Sequence, residues 1–88
     1  MDRVLQSISK HITIVKVWFE NRTIYVQMNN GNVIARSVDL YPHLRNGTPQ
    51  QWQKFDLWGG GKSIHWEELD EDLSAEGFLK SKWKNLLF

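Results

Sequence analysis

The sequence predicts an α+β fold: a small antiparallel three-stranded meander, then short helices, an extended segment and a C-terminal helix. Three observations carry that expectation. Between residues 11 and 38, three runs rich in β-branched and aromatic residues are separated by two short clusters of turn formers. After Val38 the alternation stops and helix-start signatures appear, at Asp39, at Thr48-Pro49 and at Ser74. The chain has 88 residues and no cysteine, so it is expected to be one domain that must pack well or associate with something.

The elements follow in order. Residues 1–10 place Val4, Leu5 and Ile8 at helical spacing over a short stretch. His11–Phe19 predicts a strand with Val15, Val17 and Phe19 toward the core and Ile12, Ile14, Lys16 and Trp18 on the other face. Glu20-Asn21-Arg22 is a turn. Thr23–Met28 alternates Ile24, Val26 and Met28 against Thr23, Tyr25 and Gln27. Asn29-Asn30-Gly31-Asn32 marks a hairpin, because Asn and Gly accept positive φ at low cost. Val33–Val38 is the third strand.

Asp39 is then expected to cap a short helix through Leu44, with Pro42 at an early position. Thr48-Pro49 opens a helix over Pro49–Leu57 that turns Trp52, Phe55 and Trp58 toward the sheet and is capped by Gly59-Gly60-Gly61. Ser63–Trp66 is an extended segment beside the sheet, and Glu67–Asp72 is a loop with Leu69 pointing inward. Ser74 caps a helix from Ala75 to about Lys84, anchored by Phe78, Leu79 and Trp83. Residues 81–88 form an apolar and basic tail.

Composition narrows the function classes. Without cysteine there is neither a disulfide framework nor a thiolate metal site nor a thiol nucleophile. No run approaches membrane-spanning length, and the first residues lack the basic and apolar regions of a signal peptide, so the expectation is a cytoplasmic protein that does not enter a membrane. Net charge is +1, but it is unevenly spread: residues 1–62 hold eight Lys/Arg against four Asp/Glu, residues 63–79 hold six acids and no base, and residues 80–88 hold three bases. An acidic segment between two basic ones pairs within the fold or faces a basic partner.

The candidate chemistry lies in that acidic segment. His65 with Asp70 and Asp72 could ligate a divalent metal, but the alternate oxygen ligands and glycine of a calcium loop are missing. The plainer expectation is that Asp70 and Asp72 cap the last helix while His65 packs with one nitrogen hydrogen-bonded. His65 with Glu67, Glu68 or Asp70 could serve as acid and base, yet no nucleophile or orienting group accompanies them, and no cofactor or enzyme activity is expected. Gly59-Gly60-Gly61-Lys62-Ser63 superficially matches a phosphate-binding loop but lacks its glycine spacing and its strand-to-helix context. Trp18, Tyr25 and Arg36 on one strand face would suit nucleic-acid bases, but too few cations cluster to hold a phosphate backbone. The remaining reading is a docking surface for a basic protein, made of His65, Glu67, Glu68, Asp70, Glu71 and Asp72 with Trp66 as its apolar anchor.

These motifs carry a family resemblance. Ile64-His65-Trp66 followed by Leu69-Asp70-Glu71-Asp72-Leu73 and Gly77-Phe78-Leu79 resembles the signature of the bacterial domain-of-unknown-function family 2442. Tyr41-Pro42-His43-Leu44, Gly47-Thr48-Pro49 and Trp58-Gly59-Gly60-Gly61 resemble its upstream motifs. The similarity covers about residues 12–80 and departs at Glu67, where the family usually has Pro, at His43, where it usually has Arg, and in the tail. The resemblance implies an α+β fold and no established activity. It also implies an association with a small neighbouring gene in candidate toxin–antitoxin pairs. The DNA-binding domain added in some members is not expected here, since residues 81–88 leave no room for it, and DNA binding is not carried over from the resemblance.

The expectation is therefore a single-domain, non-enzymatic interaction module, antitoxin-like, whose partner is the product of a neighbouring gene. A nucleic-acid-binding regulator is the second reading and a small metal-dependent hydrolase the third. A homodimer joined through Lys80, Lys82, Lys84, Trp83, Leu86 and Phe88 is the competing use of the charge pattern.

Overall fold

The computed structural model describes residues 12–79. The reading of residues 1–10 as helical, the extension of the last helix to Lys84 and the tail-mediated homodimer lie outside those residues. Strands β1 (Ile14–Glu20), β2 (Thr23–Met28) and β3 (Val33–Ser37) form the expected antiparallel meander. A 3-10 turn (Val38–Leu40) and two single-turn helices follow, α1 (Pro42–Arg45) and α2 (Pro49–Trp52). A second antiparallel sheet then forms from β4 (Asp56–Trp58), β5 (Ser63–Trp66) and β6 (Glu71–Ser74), with β5 at its centre. Helix α3 is described over residues 75–79.

The first strand departs from strict alternation. Ile14 pairs with Met28 but Lys16 pairs with Gln27, so Val15 is the extra residue of a β-bulge. A bulge shifts the side-chain phase by one. Ile12 and Ile14 therefore enter the core, contrary to the alternation read from the sequence, and Val15 is 52% exposed. Beyond the bulge, Val17 and Phe19 pack against the core as expected. In β2, Ile24, Val26 and Met28 are all buried. The turn between β2 and β3 closes around Gly31 (φ +92), whose N–H donates to the Met28 carbonyl at 2.9 Å.

Both sheets turn one face to a common core, which includes Ile24 and Ile34 from the first and Ile64 and Trp66 from the second. The indoles stitch the layers together. Trp52 donates its Nε1–H to the Leu44 carbonyl at 2.7 Å, and Trp66 donates to the Trp52 carbonyl at 2.9 Å. Each buried ring thus brings a large apolar area and satisfies its one donor. Phe19 stacks on Trp52 at 5.5 Å, and Phe55 lies tilted against Trp66 at 6.2 Å.

Four sequence expectations are corrected here. Asp39 does not cap a helix: Ser37 accepts the Asp39 N–H, and the Asp39 carboxylate takes Arg22 at 2.6 Å. The helix at Thr48-Pro49 starts as expected, with a Thr48/Gln51 capping box, but ends at Trp52. Residues 56–58 are drawn instead into pairing with β5, where each strand residue gains cross-strand bonds that one more helical turn would not supply. The three glycines are consequently not a helix cap. They form the turn of the β4–β5 hairpin, all with positive φ. The segment 67–72 is not wholly loop either, since Glu71 and Asp72 open β6. Ser74 does cap α3, its Oγ accepting the Gly77 N–H at 2.9 Å.

Gly61 joins the two sheets. Its carbonyl accepts the Ile14 N–H at 2.7 Å, next to the bulge, and a Cβ at Gly61 would lie 2.3 Å from the Ile14 carbonyl oxygen.

Candidate functional site

Strand β5 alternates Ser63 and His65 outward with Ile64 and Trp66 inward, which is the period-two consequence of Ser-Ile-His-Trp in a sheet with one buried face. Register then assembles the outer face. His65 lies opposite Asp56 on β4 and Asp72 on β6, and Trp58 is on the same face two residues beyond Asp56. The His65 Nδ1–H donates to Asp72 Oδ1 at 2.6 Å. The Trp58 indole stacks on the imidazole with ring centres 3.9 Å apart and planes 22° from parallel. His65 is thereby largely covered, whereas Trp58 remains 49% exposed.

The turn from Glu67 to Asp70 places the other acids. Asp70 has φ +53, and its carbonyl accepts the His43 Nδ1–H at 2.8 Å. The same nitrogen lies 3.5 Å from Glu71 Oε1, so α1 is tied to the acidic turn by one imidazole. Glu68 reaches Lys54 at 3.3 Å and accepts from the Gln51 amide at 3.4 Å. Leu69 points inward as expected, packing against the core with its methyl groups where a side chain at Gly47 would otherwise stand. Glu67 and Asp70 are exposed and their carboxylates have no ion pair among the described residues.

The seven residues singled out in the sequence therefore separate into different roles. His65 and Asp72 meet as a pair, and the expected hydrogen bond to one imidazole nitrogen is present. Trp66 is fully buried and cannot anchor a partner. Asp70 and Asp72 are not caps of α3, because Asp70 lies in the turn and Asp72 faces His65 across a strand pair. Glu68 and Glu71 have internal partners, while Glu67 and the Asp70 carboxylate face solvent.

Trp58 and Asp56, the exposed aromatic and its neighbouring acid, were hidden by the helix reading. A signal was available: apolar Leu57-Trp58 and Ser63-Ile64 flank a glycine run, which is a hairpin pattern as much as a helix end.

The first sheet's outer face has a different character. Trp18 and Tyr25 stack at 5.4 Å with planes 6° apart, and Lys16 Nζ lies 5.0 Å over the Trp18 ring. Arg36 does not join them. It is in register with Ile24 on the inner side and its Nη2–H donates to the Phe78 carbonyl at 3.5 Å. The three residues expected to share a base-stacking face are thus split across the sheet. Among the described residues no three His, Cys, Asp or Glu side chains gather as a metal-ion cage, and no helix is long and apolar enough to cross a membrane.

Two small antiparallel sheets on one aromatic core, with carboxylates gathered on the second sheet and its turn, define a small α+β domain with an acidic, aromatic-bearing face. The chain belongs to the family described as "Protein of unknown function (DUF2442)", whose model matches residues 14–82. Two solved structures are similar. One is the crystal structure of a protein of unknown function from Rhodospirillum rubrum, 26% identical, covering 81% of this chain and 88% of its own, with a TM-score of 0.71. The other is the solution NMR structure of an uncharacterized protein from Chromobacterium violaceum, 20% identical, covering 98% of this chain and 85% of its own, also with a TM-score of 0.71; at that identity the likeness speaks for the fold alone. Among curated proteins none matches this chain.

Proposed function

We propose that this protein is a non-enzymatic interaction module that docks a basic partner protein on the acidic face of its second sheet. One observation carries the reading. Residues 56–79 contain seven carboxylates against the single cation Lys62, and the fold gathers them on one sheet, its connecting turn and the start of α3. Such a predominantly negative surface steers an oppositely charged partner and sets its orientation. The exposed Trp58 replaces Trp66 as the apolar anchor. The antitoxin-like version, in which the partner is the product of a neighbouring gene, follows from the family resemblance.

Co-expression with that gene product tests it. The complex should co-purify at low salt and weaken steeply as salt rises. Glu67→Gln combined with Asp70→Asn should slow association without changing stability, because both carboxylates are exposed and Asn tolerates the positive φ at position 70. A complex indifferent to salt and to this double variant would refute the acidic-face reading.

A further inference from the structure

We propose, building on that reading, that Trp58 and Asp56 form a receptor for an arginine side chain of the partner. Trp58 uses one ring face on His65, which holds the indole in place, and the side chain remains 49% exposed. Asp56 lies on the same strand and the same face, two residues away, and is exposed, its carboxylate without a hydrogen bond among the described residues. Asp72 adds a second carboxylate on that face, with Oδ1 committed to His65 and Oδ2 without a described donor.

An exposed indole beside a free carboxylate fits a flat cation. Tryptophan is the best aromatic partner for a cation, and a guanidinium both stacks on the ring and donates two parallel N–H bonds to a carboxylate. A lysine ammonium offers the charge without the plane or the fork. The surroundings favour a cation over an anion or a neutral group. Asp56 and Asp72 flank His65 in register, and no Lys or Arg occupies the outer face of β4, β5 or β6. The first sheet provides a contrast, because there Trp18 already has Lys16 over its ring.

The test is titration of the 15N-labelled 88-residue protein with Gly-Arg-Arg-Gly and Gly-Lys-Lys-Gly peptides at low salt. The arginine peptide should bind more tightly and should move the Trp58 indole resonance more than the other four. Removing the cation–π contact in Trp58→Ala should weaken the arginine peptide roughly twofold to fivefold, with Asp56→Asn weakening it in the same sense. Trp18→Ala should leave it unchanged. If both peptides bind equally and Trp58→Ala has no effect, the arginine receptor is refuted while docking of basic partners stands. If neither peptide binds, the receptor and the acidic docking face both fail.

Discussion

Replacing Gly61 with alanine should cost far more than replacing Gly60, and the difference measures how the two sheets are joined. Both glycines have positive φ, +69 at Gly60 and +99 at Gly61, so each Ala variant carries a backbone penalty of about 1–2 kcal/mol. A Cβ on Gly60 meets nothing within 4 Å. On Gly61 it would lie 2.3 Å from the Ile14 carbonyl oxygen and 3.1 Å from the Ile14 nitrogen, both backbone atoms that cannot rotate aside. Relieving that overlap means pulling the hairpin turn off β1, which breaks the 2.7 Å bond from the Ile14 N–H to the Gly61 carbonyl beside a buried Ile14. Leaving such a buried group unpaired costs about 1–3 kcal/mol more. Gly61→Ala should therefore destabilise by about 2–5 kcal/mol and Gly60→Ala by about 1–2 kcal/mol. Small domains of this size have only about 4–13 kcal/mol in total. Urea unfolding followed by tryptophan fluorescence would separate the variants by about 0.3–3 M in midpoint, since small proteins lose about 1–3 kcal/mol per molar urea. Equal midpoints for the two variants would show that Gly61 is not the joint between the sheets.

Four further outcomes are expected. Ser74→Ala should destabilise by about 1 kcal/mol through loss of the α3 cap, whereas Asp72→Ala, facing His65 from an exposed position, should cost no more than about 1 kcal/mol; thermal melts distinguish them. Trp66→Ala should cost about 3–5 kcal/mol because it empties a fully buried site and orphans the Trp52 carbonyl, while Trp58→Ala, which loses a half-exposed indole stacked on His65, should cost less, about 0.5–1.5 kcal/mol. The Arg22 guanidinium, hydrogen-bonded to Asp39, holds that carboxyl below its usual 3.8, so its contribution is present above that pH and is lost as pH falls through the lowered folded value. Acid titration of stability should be shallower in Asp39→Asn. Burial pushes the Tyr41 phenol above its usual 10.0, so the corresponding stability is full below pH 10 and is lost as pH rises through the folded value; Tyr41→Phe should resist alkaline unfolding better than the parent chain.

What the sequence determined by itself was local. Alternation in Thr23–Met28, the Asn-Gly turn, the Thr48-Pro49 start, the Ser74 cap and the inward Leu69 follow from forces acting within a few residues, and each is where the sequence put it. The acidic character of residues 63–79 was likewise plain in the string of residues. Tertiary structure decided whatever depended on a partner distant in sequence. The bulge at Val15 sits beside the Gly61 joint, 46 positions later, and no periodicity within β1 records that contact. Residues 56–58 have a helix start just before them and a glycine run just after, so local preference suits a helix. Cross-strand bonds to β5 override it, and Trp58 is turned outward onto His65. The same pairing sets Asp72 opposite His65 and takes it away from the helix end it precedes. Which acids are free to meet a partner was therefore a question of register and not of composition, because register alone determines which side chains share a face.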